Sequence, residues 1–139
     1  MNTLTSINHA LSDPNRIRLL MACHDRERCV CQLVELIDQS NASISKHLAQ
    51  LKASGLLTSR REGRWVHYRT PESPTPMVRD AIEMVCKHAS QMPEIAQDIE
   101  RLKRIDEIDP CDLAQMQRKN CCSIFRSFSS KGASKCPPK

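Results

Sequence analysis

A chain of 139 residues, 40% hydrophobic but only 3% aromatic, is one domain by size with room for a tail. Its small core must come from Leu, Ile, Val, Met and Ala, which favours helices. No apolar run approaches 18 residues, and Met1-Asn2-Thr3-Leu4 carries no basic stretch ahead of a long apolar one, so neither a membrane span nor a signal peptide is expected and a cytoplasmic location is.

Leu4, Ile7, Ala10 and Leu11 recur at helical spacing and predict a short first helix. Ser12-Asp13-Pro14 ends it and starts the next: Ser12 or Asp13 can cap, and Pro14 suits a first helical position because its missing N–H has no intrahelical partner there. Ile17, Leu20 and Met21 carry a second helix to about Cys23. After the polar link Asp25-Arg26-Glu27-Arg28, a third helix is expected from about Cys29 to Ile37, with Val30, Leu33, Val34 and Ile37 on one face. Ser40-Asn41 forms the next turn. A fourth helix, about Ala42 to Ser54, buries Ile44, Leu48 and Leu51 and stops at Gly55 in a left-handed cap. Two short strands, Leu56–Arg60 and Trp65–Arg69, flank the hairpin signal Glu62-Gly63. The Pro-containing segment 70–76 is a linker. A fifth helical stripe follows, Val78, Ala81, Ile82, Val85, Ala89 and Met92; Pro93 interrupts it, and Ile95, Ile99, Leu102 and Ile105 resume. Periodicity fades after Asp109, and residues 126–139 have the composition of a disordered tail.

The expected fold is therefore mainly α, a winged helix-turn-helix with a two-stranded hairpin wing over residues 1–105, followed by a cysteine-containing and largely flexible extension over residues 106–139. The net charge of +5 supports a partner for it. Residues 1–39 carry a net charge of −1 and residues 70–139 a net of +1, while residues 40–69 hold Lys46, Lys52, Arg60, Arg61, Arg64 and Arg69 against Glu62 alone, a net of +5. A charge run is usually a solvated face. One that coincides with a helix and a hairpin is the electrostatic footprint of DNA binding. In such units the second helix enters the major groove. With Ile44, Leu48 and Leu51 inward, Ala42, Lys46 and Ala49 point outward, flanked by Ser43, Ser45 and Gln50. Asn41 and His47 complete the candidate reading face, and Arg60, Arg61 and Arg64 form a cationic finger for the DNA backbone or minor groove.

The chain has 8 cysteines, which in a cytosolic protein should stay reduced and serve as metal ligands or as packing. Cys23 and Cys86 lie in helical patterns and read as buried apolar residues; Cys136 is incidental. Cys29 and Cys31 differ. Soft thiolates select thiophilic ligands, and a helix N-terminus with Arg26 and Arg28 nearby favours thiolates. On an ideal helix the two lie about 200° apart, so one ion can bridge them only if the helix starts late or distorts.

Ala10–Leu20, Cys29-Val30-Cys31-Gln32-Leu33, Ser43–Leu48 and Gly63–Arg69 together resemble the ArsR/SmtB family of metal-responsive repressors, most closely its arsenite-responsive members. The resemblance runs from residue 4 to about 105, in order and with family spacing. It implies a homodimer, joined through its terminal helices, the first and the fifth, that binds double-stranded operator DNA and leaves it when As(III), or Sb(III), meets cysteine thiolates. Trivalent arsenic takes three thiolates. Where the arsenite-responsive pattern has a third cysteine, this chain has Val34. Cys111, Cys121 and Cys122 are the candidates to replace it, from the same chain or its dimer mate.

Rival readings are a cadmium, lead or zinc sensor of the same family and a thiol redox-sensing repressor. Asp80, His88 and Glu94 lack the paired spacing of a zinc site, and no cysteine precedes Cys23 to complete a cadmium or lead site. An enzyme is not expected, because no catalytic His or Gly-rich phosphate loop accompanies the Cys-Val-Cys motif.

Overall fold

The computed structural model describes residues 3–118. Ten elements follow in order: α1 (Thr3–Ala10), α2 (Pro14–Asp25), β1 (Arg28–Cys29), α3 (Val30–Ile37), α4 (Asn41–Ala53), β2 (Thr58–Glu62), β3 (Trp65–Arg69), α5 (Pro76–Ala89), α6 (Pro93–Asp106) and α7 (Pro110–Arg118). The sheet is antiparallel with order β1-β3-β2.

Local chemistry sets the boundaries. Asp13 caps α2 by accepting the Asn15 N–H at 2.8 Å, with Pro14 opening the helix. Ser40 caps α4 by accepting the Ser43 N–H at 3.2 Å. Gly55 ends α4 with φ +85°, and the amides of Leu56 and Leu57 turn back to the Leu51 carbonyl at 3.1 and 3.3 Å. A side chain at Gly55 would both strain this left-handed backbone and press a Cβ against Val78 Cγ2 at 3.3 Å. At the wing tip, Glu62 pairs with Trp65, so Gly63 (φ +61°) and Arg64 make the two-residue turn.

The core runs through every helix. Leu19, Leu20, Leu33, Leu36, Ile44, Leu48, Leu51, Leu56 and Leu57 are all buried. Most of the stripe residues read from the sequence point inward, Ile44, Leu48 and Leu51 on α4, Val78, Ile82 and Val85 on α5, and Ile95, Leu102 and Ile105 on α6, whereas Met92 and Ile99 of the same stripes are exposed. Helix α6 is anchored by a bidentate pair, Arg18 to Asp98 at 2.8 and 2.8 Å, which holds the Arg18 guanidinium above its usual pKa.

Three further features depart from the sequence expectation. Leu56 and Leu57 are buried ahead of the strand rather than in it, so β2 starts at Thr58. A third strand exists: Arg28 pairs with Tyr68 and Cys29 with His67, so the residues before α3 join the wing. Beyond Asp109, where no helical period is legible, Pro110–Arg118 form α7, which packs on α3 with Leu113 fully buried. Among the described residues no helix is long and apolar enough to cross a membrane.

Candidate thiol site and DNA interface

The thiol site begins with the late start of α3. Cys29 is extended (φ −81°, ψ 161°) and stands at the cap position, while Val30 is the first helical residue. The ideal-helix separation of the two cysteines therefore does not apply, and their Cα atoms are 5.5 Å apart. The Cys29 N–H is satisfied by Gln32 Oε1 at 3.0 Å. The Cys29 and Cys31 sulfurs are joined as a disulfide, and Cys111 is disulfide-bonded as well. This differs from the expectation of reduced thiols throughout. The cause is the extended cap, which turns both side chains to one side at a separation a disulfide can span.

Helix α7 brings the third candidate to the same place. Cys31 Sγ meets the Pro110 carbonyl at 3.8 Å, one residue before Cys111. Gln117 Nε2 donates to the Cys31 carbonyl at 2.9 Å, closing α7 onto the start of α3. Val34, at the position where the arsenite-responsive pattern carries cysteine, packs in the core. Cys121 and Cys122 lie outside the described residues. Among the described residues no three His, Cys, Asp or Glu side chains form a group able to hold a metal ion as they stand.

Cys23 and Cys86 are free thiols of a different kind. Burial pushes Cys23 up to about 12, with Arg28 opposing weakly, so it stays neutral and acts as packing. Burial, with Glu83 adding to it, raises Cys86.

The candidate DNA face is on α4, which packs against α3. Asn41, Ala42, Ser45, Lys46, Ala49 and Gln50 are exposed along α4. Ser43 is half-buried and engaged in the cap with Ser40, at 3.0 Å between hydroxyls. His47 is half-buried, its Nδ1 3.5 Å from Arg16 Nη1 on α2, which places it on the flank rather than the crest of the helix. The wing arginines divide. Arg61 and Arg64 are exposed and make no ion pair with a described residue; Arg64 lies 5.3 Å over the Trp65 ring. Arg60 is committed instead to Glu27, at 2.6–3.0 Å, and to Glu62 at 3.1 Å. Its guanidinium holds the Glu27 carboxyl below the usual range.

The two sites are contiguous. A cavity of about 260 Å³ is lined by Cys31, the Asn41 start of α4, Arg64 and Trp65 of the wing, and Ala114 and Gln117 of α7. Sequence reasoning missed β1, Gln32, Asp106 and α7. The only legible hint was Gln32 three residues after Cys29, the spacing of a helix-capping pair.

A helix-turn-helix with a hairpin wing, its exposed cations on the second helix and the wing tip, defines a winged-helix DNA-binding regulator. The particular family follows from comparison. Residues 13–59 match the description "Bacterial regulatory protein, arsR family". The chain is 38% identical over 108 residues to the arsenic resistance transcriptional regulator ArsR2 of Pseudomonas putida, covering 76% of this chain and 91% of that one. It is 47% identical over 60 residues to the arsenical resistance operon repressor of Escherichia coli K12, where the match spans 42% of this chain and 51% of the repressor. Among solved structures, HlyU from Vibrio cholerae superposes with a TM-score of 0.56 at 26% identity, over 64% of this chain and 94% of that one. The chain belongs to the arsR family of bacterial regulatory proteins.

Proposed function

We propose that this protein is an arsenic-responsive repressor of the cytoplasm, a regulator and not an enzyme, which binds operator DNA as a homodimer and leaves it when As(III) or Sb(III) is taken up by Cys29, Cys31 and Cys111. One observation carries the reading: Cys29 is at once a member of a close thiol pair and a rung of the wing sheet, paired with His67.

The donor set fits. Two sulfurs sit within bonding distance of each other, and α7 sets Cys111 one residue beyond the carbonyl that Cys31 touches. When bound, the ion supplies a soft centre that accepts three thiolates. The chain's own residues do the rest. The thiols must be reduced and give up protons, which the positive end of α3 favours. Cys29, drawn from its cap position towards Cys111, carries β1 with it. β1 is laddered to β3, and Glu27, just before it, grips β2 through Arg60. The wing therefore moves relative to α4. A ligand that binds this altered shape more tightly lowers DNA affinity by the same factor.

Dimerisation is read from the outer faces of α1 and α5. Leu4, Met77 and Met84 are 50%, 42% and 52% exposed, large apolar side chains presented to solvent by those two helices. Met84→Asp should leave a monomer by analytical ultracentrifugation and abolish tight operator binding; a stable dimer would move the interface elsewhere.

The test of the switch is operator binding by reduced protein titrated with a panel of thiophilic ions. Wild type should be released by As(III), while Cys29→Ser and Cys31→Ser keep DNA binding and lose the response. Release of both variants at wild-type arsenite levels would place the site elsewhere. The Cys29–Cys31 bond favours a second reading, a redox-sensing repressor. Release by peroxide and not by arsenite would select it.

A further inference from the structure

Asp106 ends α6 and reaches back to the start of the thiol site. Its Oδ2 accepts from Arg28 Nη2 at 3.0 Å, and its Oδ1 from Gln32 Nε2 at 3.5 Å. These two residues bracket Cys29. Arg28 precedes it in β1, and Gln32 accepts its N–H at 3.0 Å.

Arg28 is 1% exposed, and its Nε has no hydrogen-bond partner among the described residues. Its other contacts are the Ala22 carbonyl at 3.1 Å and Asp25 Oδ2 at 3.4 Å, and Asp25 is itself solvent-exposed. Burial pulls the guanidinium below its usual pKa, and the carboxylate of Asp106 is the largest opposing influence. Asp106 is thus the principal counter-charge of an enclosed cation. The mechanical setting matters as much. β1 contributes two rungs, Arg28 with Tyr68 and Cys29 with His67. A ladder that short has little stability of its own.

We propose that Asp106 is a positioning residue. By holding Arg28 and Gln32 together it fixes the Cys29 backbone between α6 and the wing, so that displacement of the Cys29 sulfur moves β3 instead of being absorbed locally. The proposal rests on the function proposed above for the identity of the ligand, but not for the mechanical link.

The experiment uses full-length reduced wild type, Asp106→Asn and Asp106→Glu. Operator affinity is measured untriggered, with arsenite, and with diamide, which takes two electrons and two protons from the Cys29–Cys31 dithiol without arsenic. Thiolate-to-arsenic absorbance reads ligation independently of DNA. Asp106→Asn should bind untriggered operator within about threefold of wild type, show unchanged absorbance, and lose about tenfold in the ratio of affinities without and with trigger. Asp106→Glu should restore the ratio. A wild-type ratio in Asp106→Asn overturns the proposal. Should that variant fail to fold, Gln32→Met removes the second arm without stranding a charge; it should also lower the ratio, and an unchanged one overturns the proposal. If wild type responds to diamide but not to arsenite, the ligand assignment falls and the Asp106 comparison stands under diamide. If it responds to neither, Asp106 has no coupling to carry and the proposal falls too.

Discussion

Cys23 and Cys29 are each 1% exposed, yet their surroundings give them different chemistry. Cys23, on the helical face of α2, is held neutral by burial up to about 12. Its folded pKa lies above its unfolded value, so its contribution is fully present below pH 9.0 and declines from there towards pH 12. In that window the unfolded chain has released the proton and the folded chain has not, so stability should fall with rising pH by about one kcal/mol per unit. Denaturant unfolding of wild type and Cys23→Ala at pH 8 and pH 10 checks this: wild type should lose more stability than the variant, and parallel losses would refute it. Among the wing cations, exposure separates the roles. Arg61→Ala and Arg64→Ala should each flatten the salt dependence of DNA binding by about one unit, with affinity falling alike on all sequences. Arg60→Ala should change that slope less, because Arg60 is spent on Glu27 and Glu62, and should mainly weaken inducer response. Equal slopes for all three variants would mean that Arg60 leaves Glu27 to meet DNA.

Of the elements, those with a repeating apolar stripe were legible in advance. Ile44, Leu48 and Leu51 on α4, and Val78, Ile82 and Val85 on α5, show the helical period and are buried as that period requires. β1 was not legible, since two residues offer no alternation to read and the strand exists only because β3 pairs with it. α7 buries Leu113 alone among its apolar residues of known burial, too few for a period, and its docking comes from Pro110, Leu113 and Gln117 meeting α3. Asp106 escaped because its partner Arg28 is 78 positions away, and polar pairing at that distance leaves no local pattern. The cysteine spacing was legible, but the extended cap that brings the two sulfurs together was not. Truncation after Ile108 removes α7 together with Cys111, Cys121, Cys122 and Cys136. Operator affinity should hold while arsenite sensitivity drops. An unchanged dose response would leave a two-thiol site completed by an exogenous thiol.

For the whole molecule, the thiol site, the wing and the reading helix form one contiguous body, with β3 at the centre of its sheet. A two-fold dimer would space its reading helices about 34 Å apart, so operators should carry half-sites one helical turn, or a multiple, from each other. Footprinting that finds a single unrepeated site would contradict the dimer. The central claim is that thiol ligation reaches DNA through β1 and the wing. Amide hydrogen exchange of Trp65–Arg69 in reduced, DNA-free protein tests it most directly, with and without arsenite, in wild type and Cys29→Ser. Exchange in β3 should change on arsenite addition in wild type and stay constant in Cys29→Ser. A wild type that releases its operator while β3 exchange is unmoved would contradict the claim.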